Sequence, residues 1–185
     1  MSDISVVFQN NLIKEITMVN KVAWITGAGS GIGEASAIKL ASEGFSVVLS
    51  GRTEETLDIV ASKCEGQVSV KPLDVSNYED VKIVFDDIIS DYGRVDVLVA
   101  SAGLNAKNRN WHNVSEKDFD QIIKIDLNGV FYTNRLVLEK MKEQREGLII
   151  NVSSWAGKYV TTLTGPAYTA AKHGVNALTE GINME

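Results

Sequence analysis

The sequence is poor in the residues that would commit it to several kinds of chemistry. It has one cysteine, Cys64, in 185 residues, which excludes an internal disulfide framework and suits a reducing cytoplasm. Cys64 itself reads as a helix residue without a catalytic role. The two histidines, His112 and His173, have no cysteine or carboxylate at metal-site spacing, so no metal is expected. Positive charge is also short. Eighteen Lys and Arg against 24 Asp and Glu give a net charge of −6, which argues against nucleic acid or an anionic membrane as the main partner. A basic pocket for an anionic cofactor is compatible with that balance. No apolar stretch is long enough to span a membrane, and residues 1–17 lack the basic start and small-residue cleavage site of a secretory signal. There is no internal repeat, linker or low-complexity stretch.

What is present is ordinary for one globular domain: 44% hydrophobic and 23% charged residues, with enough length to bury a core. Met18 directly precedes the first strand pattern and would serve as a start. Residues 1–17 therefore read as an N-terminal extension or a mis-assigned start, unordered and outside the fold, and residues 18–185 as the domain.

The chain alternates between buried strands and amphipathic helices. Strands are expected at residues 22–25, 46–50, 68–72, 95–100 and 148–152. Helices are expected from Gly33 to Glu43, with Ala35, Ile38, Leu40 and Ala41 buried, then over 54–64 behind Thr53 as N-cap, and over 78–89. A long helix starts at Ser115 with Asp118 three residues on and runs to about Arg145, carrying Phe119, Ile122, Leu127, Val130, Val137 and Met141 at helical spacing. A last helix runs from about Ala167. Five alternations predict an α/β fold, a doubly wound parallel sheet in three layers, in which ligands bind beyond the C-terminal strand ends.

Those ends carry the candidate site. Residues 21–33, KVAWITGAGSGIG, read as strand, glycine-rich turn and helix. Gly27, Gly31 and Gly33 let the backbone approach a ligand, and the first turn around Ser30 and Ile32 offers unpaired N–H groups to a phosphate. The spacing departs from G-x-G-x-x-G, because Ile32 stands where the third glycine should fall. The other ends present Arg52, Asp74-Val75, Ser101-Ala102-Gly103 and Ser153-Ser154. Small or polar residues at five consecutive strand ends exceed what turn chemistry needs.

Tyr168 and Lys172 lie one helical turn apart. Free tyrosine ionises near pH 10, and a nearby cation favours the phenolate and eases proton exchange. Taken alone, such a pair is also an ordinary surface contact. Ser154, fourteen positions upstream of Tyr168, reads either as a hydroxyl placed for a substrate oxygen or as a turn serine. Asn128-Gly129 sits inside the long helix, where neither residue is preferred. This reads either as a local break whose carbonyl holds a water, or as a kink or a close packing site at Gly129. No acid follows the second strand until Glu54. Arg52 there can pair with a ribose 2′-phosphate, or simply be a solvated arginine at a helix start.

Together the T-G-x-x-x-G-x-G turn over residues 26–33, Asp74-Val75, Ala102-Gly103, Asn128, Ser154 and Tyr168-x-x-x-Lys172 resemble the short-chain dehydrogenase/reductase family, in its order, from Met18 to Glu185. Ser30 departs from the pattern of the family's extended branch of epimerases and dehydratases. The resemblance implies a Rossmann-type fold and an oxidoreductase that interconverts a carbonyl and an alcohol by hydride transfer. Tyr168 is then the general acid/base and Ser154 the substrate-positioning hydroxyl. Lys172 bonds the nicotinamide ribose, Asn128 supports a water in a proton relay, and Asp74 and Val75 flank the adenine. Arg52 favours NADP(H) over NAD(H). Ser101 replaces the family's usual asparagine as a tolerated variant. The family continues past the Tyr/Lys helix with two more strands and a substrate-closing segment, so an incomplete C-terminal part and substrate pocket are expected. Homodimers or homotetramers are expected, acting in the cytoplasm on a small carbonyl or alcohol. The alternative is a truncated, non-catalytic nucleotide-binding or scaffold protein.

Overall fold

The computed structural model describes residues 21–184; the expectation for residues 1–17 lies outside them. Among the described residues, five parallel strands form one sheet in the order β3-β2-β1-β4-β5. They are β1 (Val22–Thr26), β2 (Ser46–Ser50), β3 (Val68–Val70), β4 (Val97–Ala100) and β5 (Leu148–Asn151). Strand order steps outward from β1 in both directions, so the C-terminal ends of β1 and β4 flank the topological switch point where doubly wound sheets bind ligands.

Alternation along β1 builds the three layers. Val22 and Trp24 face one way and pack with Val48, Leu98, Val81, Ile88 and Val137, whereas Ala23 and Ile25 face the other and pack with Val47, Leu49, Ala37, Leu57 and Val60. One face is therefore covered by α1 (Gly31–Ser42) and α2 (Glu54–Ala61), the other by α3 (Tyr78–Tyr92) and α5 (Gly129–Gln144). All of β1, β2 and β4 is buried, as strands covered on both faces must be. Trp24 is fully buried, with its indole N–H donated to Ser50 Oγ at 3.0 Å, so it packs without leaving a polar atom orphaned.

Several expected boundaries shift. The α1 face against the sheet is Gly33, Ala37 and Ala41, with Ala35 exposed and Ile38 and Leu40 only half-buried. Residues four apart on one stripe, all of them small, let the helix sit close to the sheet. Helix α2 stops at Ala61 rather than at residue 64, and Thr53 stands at its N-cap without a side-chain bond to the helix. Helix α3 continues to Tyr92 because Gly93, at φ 75°, ends it. Strand β3 ends at Val70 and β4 begins at Val97. The largest difference lies in the long helix. It is α4 (Glu116–Ile123), a π-helical turn (Lys124–Asn128) and α5, with Ser115 Oγ accepting from the Asp118 N–H at 3.0 Å as its start required. The last helix, α6, spans Pro166–Ile182.

Candidate active site

A cleft of about 760 Å³ opens along the C-terminal edge of the sheet. Its floor is the glycine turn between β1 and α1. Gly33 packs so closely under the turn that a Cβ there would stand 2.2 Å from the Gly27 carbonyl oxygen. The turn is held from beside by Ser101, whose Oγ donates to the Thr26 carbonyl at 2.7 Å. Over Gly31 a Cβ would meet nothing within 4 Å. Open space therefore lies above the first turn of α1, where the N–H groups have no partner within the helix. That cradle fits the phosphates of a dinucleotide. At one end of the cleft stand exposed Arg52 and the Asp74-Val75 corner. Asp74 Oδ1 accepts from the Ser76 N–H and Oγ at 2.9 and 2.8 Å, which fixes that corner.

At the other end α6 presents Tyr168 and Lys172. The Lys172 Nζ lies 5.5 Å from the centre of the Tyr168 ring. Lys172 is only 4% exposed and donates to the Val152 carbonyl at 3.1 Å. Its counter-charge is Asp126, which is wholly buried in the π-helical turn, with Oδ2 at 3.6 Å from Nζ. Asp126 Oδ1 accepts the Leu104 N–H at 2.8 Å, and Oδ2 has no hydrogen-bond partner among the described residues. Burial pushes the Asp126 carboxyl up from the ordinary carboxylate range, opposed by the Leu104 N–H and by the Lys172 ammonium.

The cleft gathers Gly27, Ser30, Gly31, Ile32, Gly33, Arg52, Asp74, Val75, Ser101, Ala102, Gly103, Tyr168 and Lys172, although they span most of the described sequence. Two candidates stand apart. Ser154 is not on the cleft wall; it begins a short 3-10 turn (Trp155–Gly157), and its Oγ accepts the Ala156 N–H at 3.1 Å, while its neighbour Ser153 lines the cleft. Asn128 is not on the wall either. The break expected at Asn128-Gly129 is the π-helical turn, and the residue it directs to Lys172 is Asp126. Gly129 is a close packing site as well, since a Cβ there would lie 2.8 Å from Val75 Cγ2 and 3.0 Å from the Val75 carbonyl oxygen. Asp126 was the residue sequence reasoning missed. Its available signal was a carboxylate between Ile125 and Leu127 in an otherwise apolar stretch.

Residues 21–185 match the family model for short chain dehydrogenase. An uncharacterized oxidoreductase of Staphylococcus aureus is 37% identical over 171 residues, which are 91% of this chain and 72% of that protein. Among solved structures, levodione reductase superposes with a TM-score of 0.85 at 31% identity, over 89% of this chain and 65% of that one. A metagenomic short-chain oxidoreductase in complex with NADP superposes with a TM-score of 0.82 at 34% identity, over 89% of this chain and 76% of that one. The chain thus spans about two thirds of the length of levodione reductase and somewhat more of the other two. No described helix is long and apolar enough to cross a membrane. Match, fold and the order of the motifs agree: this chain belongs to the short-chain dehydrogenase/reductase family of oxidoreductases.

Proposed function

We propose that this protein is an NADP(H)-dependent oxidoreductase that interconverts a carbonyl and an alcohol on a small molecule, with Tyr168 as general acid/base. The observation that carries the reading is one cleft with a phosphate-sized cradle at its floor, Arg52 at one end and the Tyr168–Lys172 pair at the other. The bound nicotinamide supplies the two-electron chemistry. Tyr168 gives a proton to the carbonyl oxygen in reduction and takes it back in oxidation. The Lys172 ammonium, held at the Val152 carbonyl, favours the phenolate and bonds the cofactor ribose. Ser154 stands beside Ser153 just off the cleft wall, and because its Oγ acts only as acceptor toward the Ala156 N–H, its hydroxyl proton stays available to a substrate oxygen brought up to it. Asn128 acts as backbone of the π-helical turn.

Arg52 carries the preference for NADP(H). It is exposed at the cleft end, free to form a bidentate pair with a 2′-phosphate; the NADP complex of the metagenomic relative agrees. Turnover over a panel of ketones, aldehydes and alcohols, compared with Tyr168→Phe, tests the reading. Activity in the parent that is lost in the variant supports it, and equal activity in both removes Tyr168 from its role. The gathering of Tyr168 and Lys172 in the cleft favours catalysis over a non-catalytic scaffold.

A homo-oligomer and a cytoplasmic setting belong to the same reading. Phe131 and Leu138 on α5, with Leu178 and Ile182 on α6, give the apolar lining of a groove that Arg135 and Glu139 also share, a surface suited to a second copy, and the one cysteine is free. Light scattering in solution tests the first point.

A further inference from the structure

We infer that Asp126 sets the redox preference of the cleft, by offsetting part of the Lys172 charge so that the site accepts the cationic, oxidised nicotinamide. The inference rests on the dinucleotide reading above and concerns a residue that reading does not need. The nicotinamide ring carries a positive charge when oxidised and none when reduced. A lysine ammonium at the reacting end therefore disfavours the oxidised form by simple repulsion. In this chain the ammonium is not alone. Asp126 Oδ2 lies 3.6 Å from Lys172 Nζ, and both side chains are almost fully withdrawn from water.

The pair sits directly behind the cleft wall. A Cβ on Gly103 would stand 3.1 Å from Asp126 Oδ2 and 3.4 Å from Lys172 Nζ, and both Gly103 and Lys172 line the cleft. One backbone thickness thus separates the carboxylate from the space beside Tyr168. The carboxylate is held by the Leu104 N–H on Oδ1, and Oδ2 has no hydrogen-bond partner among the described residues. Its charge is therefore met by one N–H and by the Lys172 ammonium, away from water, and what those two leave uncompensated acts at short range on the cleft. A structural requirement for a hydrogen-bond acceptor would be met equally by asparagine, whose carbonyl can accept the Leu104 N–H. What aspartate adds is the negative charge. With it, the free energy of the oxidised cofactor, and so of the alcohol side of the reaction on the protein, falls relative to the reduced side.

The test reads binding rather than turnover. NADPH is titrated by its fluorescence and NADP⁺ by displacement of NADPH, in mildly alkaline buffer, on the parent chain and on Asp126→Asn. The expected result is that the variant loses affinity for NADP⁺ relative to NADPH by about threefold to tenfold, the size of a unit charge acting across a partly shielded site. An unchanged ratio overturns the inference and leaves the cofactor reading intact. Binding of neither form by the parent overturns the cofactor reading, and the inference falls with it. Circular dichroism shows whether Asp126→Asn folds. If it does not, the parent decides: its NADP⁺-to-NADPH affinity ratio, read from mildly alkaline to acidic buffer, must fall as Asp126 takes up a proton, and a ratio flat with pH also overturns the inference.

Discussion

The two ends of the cleft are built from different materials. The end around residues 27–33 and Arg52 is backbone and one exposed cation, whereas the end around Tyr168 is a set of side chains anchored on buried charge. A Cβ at Gly33 has no room, chiefly because the Gly27 carbonyl in the same short run of sequence would be 2.2 Å away, with Ser101 Oγ closing the turn from outside. Lys172 and Asp126 are 3.6 Å apart in space and sit on different helices. The glycine floor of the first kind of site is set mostly by local conformation, with Ser101 closing it from the end of neighbouring β4. The second exists only once the sheet, the π-helical turn and α6 have assembled.

That difference predicts which changes do what. The largest effect belongs to the side-chain end: Tyr168→Phe lowers turnover by about 10²–10⁴-fold, the usual contribution of a positioned acid/base, while NADPH titrates as in the parent. A variant that loses NADPH binding as well would erase the division between the ends. Next is the backbone end. Gly33→Ala forces the turn away from α1, weakening NADPH by at least about tenfold and lowering stability by roughly 1–3 kcal/mol, as overpacking does. Chemical denaturation and NADPH titration read the two effects, and an unaltered turn in the variant would contradict the packing described.

How much of this could be read from sequence follows the same line. The strands and the cleft's glycine floor were legible because buried parallel strands are continuous apolar runs and a tight turn before a helix demands glycine locally. The Arg52, Asp74 and Ser101 corners followed from their places at strand ends. The interruption of the long helix is legible only through Asn128-Gly129, two residues that a helix interior disfavours; Phe119, Ile122, Val130 and Val137 keep a helical period across Lys124–Asn128, so periodicity passes over the π-helical turn. The tertiary contact beside it is equally hidden, since nothing local tells that Val75 fills the space a Cβ on Gly129 would need. Asn128 marks the turn in the sequence, and the side chain that the turn brings to Lys172 is Asp126. In α1 the larger Ile38 and Leu40 looked like the buried side, but close approach to the sheet selects small residues.

Smaller effects sharpen the comparison. Arg52→Asp reverses the preference for NADPH over NADH without touching turnover geometry; paired titrations read it, and an unchanged preference would remove Arg52 from the phosphate end. The smallest effect is the pH dependence of Asp126. Its carboxyl is raised in the folded state, chiefly by burial. The stability this contributes is present below the unfolded carboxylate range and is lost as pH rises through the raised value. Relative to Asp126→Asn, the parent should therefore lose stability as pH rises from the free carboxylate range. Denaturant midpoints of the two proteins over that rise check the sign, and a gap of the opposite trend contradicts the burial argument.

The most direct test of the central claim is a fluorescence titration of the protein with NADPH and with NADH. The account predicts saturable binding of both, with NADPH the tighter. Saturable binding of neither would contradict it, because a glycine floor, Arg52 and Lys172 gathered in one cleft would then have no dinucleotide to hold.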